Sequence, residues 1–144
     1  MKNLIKALIL CAACADIAGM QTAYAQVAVV MSAKSDIGTL TSDQVSSIFL
    51  GKSDKFPNGA TALPLDQTAG SAIRSSFYDK VTGKSEAQVK AAWSRLVFSG
   101  KGTPPKEISS SAEVKKLVVA NPNTIGYIEK SAVDSSVKVV HSAD

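Results

Sequence analysis

Leu63-Pro-Leu-Asp-Gln-Thr-Ala-Gly-Ser-Ala-Ile-Arg-Ser-Ser-Phe77 runs from an apolar strand through a small, hydroxyl-rich turn straight into a helix carrying Arg74. A strand that feeds a helix through so short a turn is the joint of a layered α/β domain. It is also the layout of an anion pocket. Backbone N–H groups at a helix start lack intrahelical partners, and the helix dipole adds partial positive charge there. Thr68 and Ser71 can add hydroxyl donors, and Arg74 a planar fork that matches an oxyanion at two points. The same composition also serves as a plain structural joint, so the motif gains weight only from its context.

Working outward, Val27–Met31 is a continuous apolar run of strand length, as expected of a strand covered on both faces. Leu40–Gly51 reads as a short helix with Thr41 as N-cap, Gln44 closing a capping box and Gly51 as the stop. Lys52–Gly59 is a polar loop, and Ala62–Leu65 is the second strand. The helix that follows spans about Ser71 to Val81 and stops at Gly83. Ser85-Glu-Ala-Gln88 opens another capping box, ahead of a helix with Val89, Ala92, Trp93, Leu96 and Val97 at helical spacing. Ser99–Lys106 is a turn-rich loop. A helix from Ser111 must end near Asn121-Pro122, because the residue before proline avoids the helical region. Thr124–Ile128 and Val137–Val140 close the pattern as strands. The order βαβαααββ predicts a single layered α/β domain.

Met1–Ala25 has a basic start (Lys2, Lys6), an apolar middle and Ala23-Tyr-Ala25 ahead of Gln26, which predicts a secretory signal peptide cut after Ala25. The apolar run is too short to span a bilayer. Cys11 and Cys14 invite a lipoprotein reading, but neither follows the Leu-plus-small-residue pattern of lipid-modified cysteines, so a soluble periplasmic product without a membrane anchor is expected. The predicted mature domain is Gln26–Asp144. Both cysteines fall in the leader, so the domain has no disulfide, thiolate or Cys-based metal site. Of 16 basic and 12 acidic residues, removal of Lys2, Lys6 and Asp16 leaves 14 and 11, a formal charge of +3. The basic residues are scattered without aromatic interleaving, which speaks against nucleic acid. No cluster suggests a metal, His141 is the lone histidine, and no serine has a base in a recognisable arrangement; no cofactor and no enzymatic activity are expected.

Ile48-Phe-Leu-Gly-Lys52, the Asp66–Phe77 segment, Trp93–Gly100 and Ile125-Gly-Tyr-Ile128 together resemble the periplasmic phosphate-binding proteins of ABC importers, most closely their short, single-lobe relatives. The resemblance covers nearly the whole predicted mature chain and implies one lobe of a type II periplasmic binding protein. It implies binding of phosphate or a similar oxyanion by Gly70 and Ser71 (backbone N–H), Thr68 and Ser71 (hydroxyls), Gln67 (side-chain amide) and Arg74 (charge), with Asp66 in support. An ABC permease is the implied partner. Three positions depart from the family pattern: Gln67 replaces an Arg, Ala69 an Asp and Ile73 a Thr, while Arg74 lies one helical turn later. The predicted mature chain is about half the usual size, and with one lobe only, the second wall that buries such a ligand is expected to come from a homodimer or another envelope protein. The alternative expectation is an adaptor or scaffold that keeps the fold and acts through protein partners. Arg74 is then either the anion ligand or a surface residue pairing with Asp79 or solvent. Trp93 and Tyr127 are expected in the core.

Overall fold

The computed structural model describes residues 26–144; the predicted leader and its cleavage site lie outside the described residues. Strand β1 (Val27–Ser32) is followed by α1 (Ser42–Phe49), β2 (Leu63–Gln67), α2 (Ala72–Phe77), α3 (Glu86–Phe98), β3 (Lys106–Ile108), α4 (Ser111–Ala120), β4 (Thr124–Glu129) and β5 (Val137–Ala143). A wider π-helical turn, Tyr78–Thr82, extends α2 and stops at Gly83, whose φ of 68° only glycine adopts cheaply. The five strands form one sheet in the order β3-β2-β4-β1-β5. β2 runs parallel to β3 and β4, while β1 runs antiparallel to β4 and β5.

All six residues of β1 are buried, as the unbroken apolar run requires. Alternation along the strand then divides the core in two. Val27, Val29 and Met31 face the larger core, with Phe49 of α1, Phe77 of α2 and Trp93 of α3. Ala28 and Val30 face a smaller one with Val114 and Val118 of α4. The sheet therefore lies between two helical layers.

Both capping boxes form as the sequence predicts: Thr41 with Gln44 on α1, and Ser85 with Gln88 on α3. Trp93 and Tyr127 are buried. Two expectations need correction. The region read as a loop up to Lys106 runs into β3, whose three residues pair with Leu65, Asp66 and Gln67 and are too few to show alternation. The second strand extends two residues beyond Leu65, so Asp66 and Gln67 belong to the sheet rather than to the turn.

Two of the blocks that carry the resemblance, Ile48–Lys52 and Ile125–Ile128, turn out to be packing joints. A Cβ on Gly126 would lie 2.6 Å from Val114 Cγ1, so glycine is what lets α4 settle onto β4. Gly51 has a φ of 74°, and a Cβ there would lie 2.7 Å from Trp93 Cη2. Trp93 also donates its Nε1–H to the Phe49 carbonyl at 2.9 Å, tying α3 to the end of α1. Among the described residues, no helix is long and apolar enough to cross a membrane.

Candidate functional site

The end of β2 separates two candidate residues by strand alternation. Asp66 faces the larger core and is 4% exposed. Its Oδ2 accepts from the Tyr78 hydroxyl at 2.5 Å, and its Oδ1 accepts from the Gln67 N–H at 2.9 Å and from the Tyr127 hydroxyl. Burial first, and then the neighbouring Asp66 charge, hold both phenols well above the ordinary tyrosine range, so they act as fixed donors. Gln67 points the other way. Its side-chain amide donates to the Tyr127 carbonyl at 2.8 Å and to Ser111 Oγ at 3.0 Å, at the start of α4. That amide ties β2 to β4 and α4, on the opposite side of the sheet from Arg74.

Thr68–Ser71 forms a turn closed by the Ser71 N–H on the Thr68 carbonyl at 3.1 Å, with Gly70 at a φ of 81°. Ser71 is the N-cap of α2, but its side chain caps nothing, and its buried Oγ has no hydrogen-bond partner among the described residues. The two amides at the tip of the turn are already engaged. Ala69 N–H donates to Glu107 Oε1 at 2.6 Å, and Gly70 N–H to Glu86 Oε1 at 3.2 Å.

Arg74 completes the cluster with a side chain only 14% exposed. Its Nη1 donates to the Gln67 carbonyl at 3.0 Å and lies 3.6 Å from Glu107 Oε1. Its Nη2 lies 3.6 Å from Asp66 Oδ2. Its Nε lies 3.1 Å from Glu86 Oε1, an ion pair without hydrogen-bond alignment, since that N–H has no partner by geometry. Glu86 Oε2 in turn accepts from Ser75 Oγ at 2.8 Å. Arg74 therefore neither pairs with Asp79 nor reaches into solvent: three carboxylates surround it.

The structure thus brings Asp66, Gly70 and Arg74 together, keeps Ser71 at the rim, sends the Gln67 amide away and leaves Thr68 exposed. Of the departing positions, Ile73 is a core residue, 5% exposed. Sequence reasoning missed Glu86 and Glu107. Glu86 looked like an ordinary acidic residue in a helix's first turn, and Glu107 followed a stretch read as loop. Recognising β3 beside β2 would have placed Glu107 opposite Asp66, where their register puts it.

A groove opens beside this cluster. It runs between α3 and the Pro104–Glu107 segment, encloses about 610 Å³ and has Val89, Trp93, Val97 and Phe98 along one wall. Phe98 is 96% exposed. Only Val89 and Trp93 of α3 are buried, so the helix is anchored along one narrow line and much of its apolar surface is uncovered.

The chain matches no protein-family model. Among solved structures it is similar to a Clostridium perfringens protein described as a phosphate ABC transporter substrate-binding protein, with bound phosphate, at 25% identity and a TM-score of 0.65. That match covers 81% of this chain and 44% of the other. An ABC-type phosphate transport receptor of Vibrio cholerae matches at 20% identity and a TM-score of 0.65, over 81% and 46% of the two chains. PstS of Borrelia burgdorferi matches at 16% and 0.61, over the same shares. The first two are described as transport proteins, and the chain spans less than half the length of each of the three. It has the fold of a single periplasmic-binding-protein lobe and is similar to the phosphate ABC transporter substrate-binding proteins.

Proposed function

We propose that this chain is a binding-protein lobe that works in the cell envelope through contact with a protein partner, its oxyanion loop closed by its own glutamates. One observation carries the reading: the Ala69 and Gly70 amides and the Arg74 guanidinium are taken by Glu107 and Glu86. The loop has oxyanion chemistry, and carboxylate oxygens of the same chain satisfy it.

Free phosphate would have to displace both. Tethered groups compete at an effective concentration of about millimolar or more, which a dissolved ligand must exceed. Charge adds to the obstacle. Asp66, Glu86 and Glu107 outnumber Arg74 by three to one, and a like charge at about 4 Å near a protein surface costs on the order of 4 kcal/mol before relaxation. An envelope protein such as an ABC permease, or a second copy of the chain, meets no such barrier at the groove.

The second reading is capture of phosphate or a similar oxyanion at Thr68–Arg74 for ABC-type uptake, and the phosphate-bound neighbour at 25% identity favours it. In that case Glu86 and Glu107 swing out, Gly70, Ser71, Thr68 and Arg74 hold the ligand, and Asp66 steadies Arg74 from behind. Titration of the protein with phosphate, sulfate and acetate, followed by calorimetry and thermal melting, separates the two. If phosphate bound with a Kd near 100 µM, about 10 mM of it would stabilise the fold by roughly 2.7 kcal/mol. The expected result is no saturable heat and no melting shift. Saturable binding by the unaltered protein would overturn the partner reading. A double variant, Glu86→Gln with Glu107→Gln, is expected to gain phosphate affinity relative to the parent.

A further inference from the structure

We propose that the groove beside α3 receives a segment of a partner protein that sets one lysine or arginine side chain next to an aliphatic or aromatic one. This rests on the partner reading above and names the chemistry of the partner.

Helix α3 leaves apolar surface uncovered. Of its 13 residues only Val89 and Trp93 are buried, while Val97 and Phe98 are 50% and 96% exposed. Val97 and Phe98 line the same groove, opposite Pro104 and Pro105. The volume of about 610 Å³ falls within the range of ligand sites, which run from roughly 300 to 1,000 Å³. With Phe98 96% exposed at its lining, the groove is open to solvent there and suits an occupant that continues beyond it, as a protein segment does.

Charge then selects the occupant. Asp66, Glu86 and Glu107 line the groove against Arg74 and Lys90, leaving negative charge in excess. Arg74 is enclosed by the carboxylates, whereas the Glu107 side chain lines the groove and is 51% exposed. A cation arriving with an apolar neighbour can place its charge near Glu107 and Glu86 and its apolar surface on Trp93 and Phe98. An anionic segment would meet the carboxylates first, and like-charge contacts of that kind suppress wrong partners. Association with a second copy is the competing occupant, since the chain as a whole is basic.

Trp93 is the sole tryptophan and lines the groove, so its fluorescence reads occupancy directly. The ligand used is the capped pentapeptide Gly-Phe-Lys-Phe-Gly, compared with Gly-Phe-Glu-Phe-Gly, at low ionic strength. The expected result is a saturable change with the lysine peptide and affinity about tenfold lower for the glutamate peptide. Phe98→Ser is expected to weaken the lysine peptide severalfold without affecting folding, because that side chain is already in solvent. Glu107→Gln is expected to do the same and to narrow the gap between the peptides. No saturable change up to about 5 mM peptide, a limit weaker than most specific contacts, overturns the proposal. So does equal affinity for the two peptides, or a dimer in sedimentation that is broken by Phe98→Ser. Phosphate displacing the lysine peptide, with the charge preference intact, would sustain the groove and instead sink the view that the oxyanion loop is closed.

Discussion

Arg74 meets acid on two sides, and the two sides are built from different materials. On the inner side Asp66 is 4% exposed and fixed by two phenols and a backbone N–H, with Phe77 stacked on Tyr127 at 4.0 Å close by. On the outer side Glu86 and Glu107 reach in from α3 and β3 with side chains 28% and 51% exposed. The pairings are chemically alike, yet burial gives them different work. The inner carboxylate cannot leave without orphaning its donors. The outer pair can exchange its partners for water, a ligand or a protein surface at far lower cost.

Removal of Asp66 separates the two sides most strongly. Asp66→Ala leaves the Tyr78 and Tyr127 hydroxyls without their acceptor in a packed interior, together with an Arg74 that has lost its innermost counter-charge. A loss of about 3–5 kcal/mol is expected from breaking a buried, hydrogen-bonded charge. Urea unfolding measures it. A loss under about 1 kcal/mol would put Asp66 in the same class as ordinary surface acids and dissolve the distinction.

Alkaline pH tests the inner side without mutation. The three tyrosines of the chain are Tyr24, outside the described residues, and the buried pair Tyr78 and Tyr127. Burial, reinforced by Asp66, raises both phenols far above the ordinary value of 10.0. The protonated form is thus favoured in the folded state. Its contribution is fully present below the unfolded-state pKa and is lost as pH rises beyond it. Unfolding above about pH 10 releases two protons, so stability is expected to fall by about 2.7 kcal/mol per pH unit there. Ultraviolet titration should show these two phenols ionising only together with unfolding. Independent ionisation near pH 10 in a folded protein would mean the Asp66 cluster is open to water.

The fold was legible where one physical rule acts alone. The β1 run, both capping boxes and the proline after α4 each followed from local chemistry, and the structure keeps them. The blocks around Gly51 and Gly126, which carry the family resemblance, sit where close packing favours glycine, against Trp93 in one case and Val114 in the other. The site was less legible because its decisive partners are distant in the chain. Glu107 reaches Ala69 across 38 positions, through a three-residue parallel strand whose pairing no local pattern reveals. Gln67 illustrates the same limit. Placed in the turn it would be a ligand, but two more residues of strand send its amide to Ser111 and Tyr127.

The finest test compares the two outer acids with each other. Glu86 meets Gly70 N–H, Ser75 Oγ and Arg74, and as the first residue of α3 it also lies favourably along the helix dipole. Glu107 meets only Ala69 N–H and Arg74 and is more exposed. Glutamine keeps an acceptor oxygen in either place, so each substitution removes charge more than hydrogen bonding. Glu86→Gln is therefore expected to cost about 1 kcal/mol and Glu107→Gln a few tenths, both shrinking as salt screens the pairs. Reversal of that order, or a loss comparable to Asp66→Ala at either site, would make the outer pair part of the frame rather than a closure that a partner can reach.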